Sequence, residues 1–195
     1  MNLSTGTLSR SPPRPDVRAH RLYFALRPDA GAAARIAPLR DGLVRRFGAS
    51  AKAVEARRWH VSLTFVAAGP DAPPPALVAR AAALAGQVAM PPFAVAFDRV
   101  VSWKGRQGHR PLVLTGENGV IGVEMLGQRI QRALATGGLA PPHERAFVPH
   151  LTLLWGDHDL AGRPIEPVRW TVREFALLHT APAGQQVLGR WPLTG

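Results

Sequence analysis

The 195-residue sequence carries 24 Lys and Arg against 13 Asp and Glu, a formal net charge of +11, and no Cys. That length buries a core without staples, and the lack of thiols excludes disulfides, thiolate catalysis and Cys-based zinc sites. No stretch approaches the roughly 18 apolar residues of a membrane span, so a soluble protein that attracts polyanions is expected.

Residues 1–19 are polar, rich in Ser, Pro and Arg, and hold a single acid, Asp16. Such a segment cannot bury enough apolar surface to offset its chain entropy, which predicts a disordered tail ahead of a folded unit at 20–195. It lacks the apolar core of a secretory signal, and a cytoplasmic location is expected. His20 to Leu26 alternates as a strand. Asp29 then caps a helix whose apolar residues Ile36, Leu39, Leu43 and Phe47 recur at helical spacing, with Pro38 able to kink it and Gly48 to end it. After a strand at 59–67 and a Pro-rich loop, residues 76–89 form an Ala-rich helix stopped by Pro91 and Pro92. Phe93 to Trp103 and Leu112 to Thr115 predict a hairpin around the basic Gly loop 104–110. Glu117 to Thr136 is a helix with the stripe Val123, Leu126, Ile130, Ala133 and Leu134, closed by Gly137 and Gly138. A strand follows at 147–154, and 168–178 and 185–193 complete the chain as two antiparallel strands.

Two of these strands share a chemistry. Trp59-His60-Val61-Ser62-Leu63-Thr64 and Phe147-Val148-Pro149-His150-Leu151-Thr152 each place His, one apolar residue, a hydroxyl and then Leu. In an extended strand residues i and i+2 share a face, so His60 with Ser62 and Thr64, and His150 with Thr152, point one way. Trp59, Val61, Leu63 and Phe65, like Phe147, Leu151 and Leu153, then face a core. Each segment offers an imidazole and a hydroxyl from a rigid strand, the placement a site requires. A helix and a loop precede each one, which predicts an α+β, bilobal fold of about seven strands and three helices, with two similar lobes facing each other across a cleft.

These paired segments resemble the signatures of the two-histidine (2H) phosphoesterases, in particular the bacterial RNA 2′,3′-cyclic phosphodiesterase or 2′-5′ RNA ligase family. The strand Arg21-Leu22-Tyr23-Phe24-Ala25-Leu26, the segment Arg110-Pro111-Leu112-Val113-Leu114 and the closing Leu188-Gly189-Arg190-Trp191-Pro192-Leu193 are similar to that family as well, so the resemblance spans about residues 20–193. It implies two antiparallel sheets with flanking helices, facing each other around a pseudo-twofold cleft, with His60 and His150 as catalytic acid and base and Ser62 and Thr152 as phosphate ligands. By the same resemblance His60 protonates the departing 3′ oxygen and His150 activates water. Many members carry an Arg three residues after the second hydroxyl; here Trp155 stands in that place. Arg110 and Arg145 are therefore the candidates for an anion clamp.

Imidazole titrates near neutral pH, so two of them can supply both proton transfers with no metal and no cofactor. The expected substrates are RNA ends or small cyclic-phosphate nucleotides, with no obligate protein partner and a monomeric chain. Two other readings exist, an RNA-binding module without catalysis, favoured by the basic charge and Trp155, and a metal-dependent hydrolase using His143, His150 and His158; within the phosphoesterase reading, another cyclic phosphate or a 2′-5′ oligonucleotide is the alternative substrate. Tyr23, Phe24 and Trp155 are candidates for base stacking or for the core. Gly156-Asp157-His158-Asp159 reads as a polar turn.

Overall fold

The computed structural model describes residues 19–105, 108–139 and 147–195. Residues 1–18 of the expected tail, Arg106 and Gln107 of the basic loop, and the segment holding His143 and Arg145 lie outside the described residues.

The elements in chain order are β1 (His20–Leu26), α1 (Ala30–Phe47), β2 (Lys52–Ala53), β3 (Val61–Gly69), α2 (Pro75–Ala85), β4 (Phe93–Ser102), β5 (Arg110–Thr115), α3 (Ile121–Thr136), β6 (His150–Gly156), β7 (Arg163–Val172), β8 (Glu174–Ala181) and β9 (Gly184–Pro192). The strands run in the order β7-β4-β5-β6-β3-β1-β8-β9, with β2 added beside β6. All of their pairings are antiparallel. Two four-stranded halves, β7-β4-β5-β6 and β3-β1-β8-β9, meet at a single residue pair, Val61 with Leu151. The architecture is thus the expected α+β arrangement, and the two histidine strands form the inner edges of its halves.

Local rules account for the helices. Asp29 accepts a hydrogen bond from the Ala32 amide at 2.7 Å and caps α1, satisfying one of the donors a helix start leaves unpaired. The helix continues through Pro38 and ends where Gly48 adopts a φ of 59°, a conformation that costs other residues more. The α3 stripe Val123, Leu126, Ile130 and Leu134 is fully buried, as its spacing predicts. The helices bind the halves together: α1, which leads toward β3, packs on β6 and β7, whereas α3, which leads toward β6, packs on β3. No helix among the described residues is long and apolar enough to cross a membrane.

The expected strand at 168–178 is not one strand. It divides at Arg173 into β7, the outer strand of one half, and β8, which pairs with β1 in the other. The main core records the break: it takes Val168, Trp170 and Val172 at even positions, then Phe175 and Leu177 at odd ones, while Ala176 and Leu178 are buried on the opposite face with Tyr23 and Ala25. A strand keeps its faces only while the period of two is unbroken, so the slip marks the crossing between halves.

Candidate active site

His60 stands one residue before β3 and His150 opens β6. Their neighbours Val61 and Leu151 form the pair joining the halves, and both are fully buried in the helix-packed core. Alternation therefore sends His60, Ser62, His150 and Thr152 to the opposite face, where the antiparallel crossing brings the two motifs side by side. The charge of His150 is felt at His60, as this juxtaposition requires.

The two motifs have matching backbones. Between β1 and β3, Ala25 pairs with Ser62 and Phe24 with Thr64, so Leu63 is an extra residue. Between β5 and β6, Val113 pairs with Thr152 and Leu112 with Leu154, so Leu153 is extra in the same place. A bulge of this kind inverts the alternation beyond it. Thr64 consequently shares the core-side register of Phe24 rather than the face of His60, and Phe65 turns out of the core, 40% exposed and 5.4 Å from the Tyr23 ring. Trp155, five residues after His150 as Phe65 is after His60, is 38% exposed in the equivalent position. Of the other aromatic candidates, Phe24 is wholly in the core, and Tyr23 is buried beneath His60 with its ring 5.2 Å away.

Each imidazole is held by the carbonyl two residues before it. His60 Nδ1 donates to the Arg58 carbonyl at 2.7 Å, and His150 Nδ1 donates to the Val148 carbonyl at 2.8 Å. A carbonyl only accepts, so both protons sit on Nδ1 and both Nε2 atoms are left for the cleft. Burial pushes His60 from 6.5 down to about 4; the Arg58 carbonyl opposes this, and the charges of His150, Arg58 and Arg21 add to the lowering. Burial also lowers His150, opposed by its bond to Val148. Trp103 packs against the His150 ring with centroids 4.3 Å apart.

The structure brings together His60, His150, Ser62 and Thr152. It sets Arg110 apart: opposite Gly156 on β5, Arg110 occupies the register of the buried Leu112 and Leu114, and its charge acts on His158. The side-chain pattern of a regular strand dictates this, since 110, 112 and 114 share a face while Val113 and Thr115 pair with Thr152 and His150. His158 is itself buried against Phe47 of α1 and bonded through Nδ1 to Ser102 Oγ at 3.0 Å, a packed residue rather than part of a polar turn. The cations whose charge bears on His60 are Arg58 and Arg21. Arg57 is paired with Glu55 at 2.6 Å, whereas Arg58 forms no ion pair among the described residues. The Arg57-Arg58 doublet just before the first motif was the sequence signal for Arg58; Arg21, on β1, had none.

Comparison with solved structures finds the same fold. E. coli LigT complexed with 3′-AMP superposes with a TM-score of 0.74 at 24% identity, covering 90% of this chain and 99% of that one. A protein of Thermus thermophilus gives a TM-score of 0.72 at 21% identity, covering 90% and 98%. The MHV ns2 PDE domain gives 0.52 at 21% identity, covering 80% and 97%. No curated protein matches by sequence. A sequence profile of the 2′-5′ RNA ligase superfamily matches residues 28–183, and with both histidine motifs inside that span the chain belongs to this superfamily.

Proposed function

We propose that the protein is a cyclic phosphodiesterase that opens the 2′,3′-cyclic phosphate at an RNA end to a 2′-phosphate by metal-independent acid–base catalysis, with slow reverse ligation to a 2′-5′ linkage. The observation that carries this reading is the pair of imidazoles, each with Nδ1 held by a carbonyl and Nε2 left to the cleft, flanking two hydroxyls at the crossing of β3 and β6. Hydrolysis of a cyclic phosphate needs a proton taken from water on one side of phosphorus and a proton given to the departing ribose oxygen on the other. His150 takes the water proton, the water oxygen bonds to phosphorus, the bond to the 3′ oxygen breaks, and His60 protonates that oxygen. Ser62 and Thr152 donate hydrogen bonds to the nonbridging oxygens, where charge builds in the transition state. Arg58 and Arg21 offset the charge of the phosphate beside His60, and Arg145 remains a further candidate for that work. Phe65 and Trp155 present apolar rings on which nucleobases can stack at either side. LigT with 3′-AMP shows that a protein of this fold accepts a mononucleotide.

The lowered pKa values set the pH dependence. The productive state needs one imidazole neutral and the other protonated. Burial makes both bind the proton weakly, so raising the pH depletes the acid partner first. The value of kcat/KM should peak below pH 6.5 and fall as pH rises toward 8. A plateau from pH 7 to 8.5 would show that neither lowered imidazole acts as the acid.

Turnover of a short RNA with a 2′,3′-cyclic phosphate end in excess chelator tests the reading. Multiple turnovers are expected, with none on a linear 3′-phosphate end. The second reading, an RNA-binding module, rests on the +11 charge together with Trp155 in place of a cation. It requires binding that weakens steeply with salt, survives loss of either histidine and is accompanied by no turnover.

A further inference from the structure

We propose that Gln185 is a positioning residue for His60, the last link of a hydrogen-bond chain that runs from Thr180 through Tyr23 to the imidazole and supports one histidine of the pair only. The kinetic part of this inference rests on the proposed function; the structural part does not.

Three strands supply the chain. Gln185 stands opposite Thr180 in the β8–β9 pairing, just after the turn in which Gly184 adopts a φ of 137°. Tyr23 lies on the neighbouring β1. The Tyr23 hydroxyl is 2.9 Å from Thr180 Oγ1, and the Gln185 amide is 2.9 Å from that hydroxyl and 3.3 Å from His60 Nδ1. Tyr23 and Thr180 are 4% and 9% exposed, so their hydroxyls depend on one another and on Gln185 for partners.

The direction of every proton in this chain follows from its end. His60 Nδ1 gives its proton to the Arg58 carbonyl at 2.7 Å. An amide end facing that N–H must accept, and because the oxygen and nitrogen of an amide exchange by a half-turn about its last bond, the oxygen is the atom that satisfies this position. The structure places the amide nitrogen there, donating to the Tyr23 hydroxyl at 2.9 Å; after the half-turn the oxygen accepts the Tyr23 hydroxyl proton as well, which leaves the Tyr23 oxygen to accept from Thr180. His60 Nδ1–H is thereby held between two acceptors, with the Tyr23 ring packed below it. Among the described residues His150 has the Val148 carbonyl alone on Nδ1 and the Trp103 ring at its side. The motifs are equivalent, but their supports are not.

A ring held at Nδ1 by two acceptors keeps Nε2 aimed at the cleft and accommodates a positive charge when the ring is protonated. The charged and titratable groups facing His60 are His150 from β6, Arg58 from the turn before β3, and Arg21 and Tyr23 from β1. None of these is a carboxylate, so among the described residues replacing the amide of Gln185 by a carboxylate places the first negative charge against this imidazole.

The test is an NMR titration of His60 in the folded, substrate-free full chain for wild type, Gln185→Glu and Tyr23→Phe, with kinetics of Gln185→Leu beside it. In Gln185→Glu the His60 midpoint should rise by about 1–3 pH units, as an adjacent opposite charge dictates. In Tyr23→Phe, which removes one oxygen and little volume, His60 should stay on the Nδ1–H tautomer with a midpoint moved by less than about one unit, since Gln185 and Arg58 both remain. Gln185→Leu should lower kcat on the cyclic-phosphate RNA by about tenfold with KM unchanged, the mark of an interaction felt in the transition state. A His60 midpoint in Gln185→Glu equal to that of wild type overturns the inference whether or not any substrate is turned over. A normal midpoint shift with no turnover by wild type would leave the chain standing and count against the proposed function instead.

Discussion

His60→Ala and His150→Ala should each lower kcat/KM on a cyclic-phosphate RNA end by about 10²- to 10⁴-fold, the usual contribution of a positioned acid or base. The two losses should not add. Once either proton transfer is missing the other imidazole has no concerted partner, so the double variant should be little worse than the more damaged single one. Stability should change little, because both rings are only half-buried at the cleft and neither belongs to the apolar cluster beneath. Urea unfolding beside the kinetics separates the two effects. A single variant within tenfold of wild type would mean that its imidazole does not transfer a proton in the rate-limiting step.

The largest effect on stability is expected one residue away. Trp59 is 1% exposed, belongs to the main core and has the Arg40 guanidinium 5.4 Å from its ring. Its backbone amide closes the short 3-10 turn at Ala56–Arg58 by bonding the Ala56 carbonyl at 3.1 Å. Trp59→Ala should cost about 3–5 kcal/mol, the range for removing a buried aromatic side chain. That is a large fraction of the roughly 5–15 kcal/mol that stabilises a typical domain. The denaturation midpoint should fall accordingly, and activity should fall with it, since the same turn presents the Arg58 carbonyl that orients His60. A loss below about 1 kcal/mol would show that the core refills the space.

Sequence periodicity placed the candidate residues on one face because those nearest the junction of the halves obey it. Val61 and Leu151 are buried and alternate with His60, Ser62, His150 and Thr152, so the four polar side chains were legible from a period of two. The same rule failed beyond the hydroxyls. The extra residues Leu63 and Leu153 are apolar like their neighbours, and nothing in their chemistry marks a bulge. Phe65 was therefore expected in the core and emerges on the site face. Arg110 was drawn toward the phosphate by its charge, whereas its register on β5 sends it to the other face. Leu112-Val113-Leu114 is apolar throughout, so the sequence shows no alternation that says which face Arg110 shares. The support of His60 was hidden for a different reason: Tyr23, Thr180 and Gln185 are distant from His60 in sequence and meet it only because β1, β8 and β9 lie side by side. The crossing at Arg173 was missed as well: 168–178 was expected as one strand, because Phe175, Ala176, Leu177 and Leu178 form a continuous apolar run with no alternation to mark the change of face.

In the proposed reaction a cyclic phosphate is held in one orientation between two fixed imidazoles, so that only one ester bond is in line to break. The most direct measurement is the position of phosphate in the product when wild type hydrolyses a 2′,3′-cyclic RNA end in ¹⁸O-labelled water with excess chelator. A single 2′-phosphate product carrying one ¹⁸O at phosphorus is the expected result. A mixture of 2′- and 3′-phosphates would contradict it, because it would mean that both ribose oxygens can depart and that the two histidines do not occupy fixed, opposite sides of the phosphate.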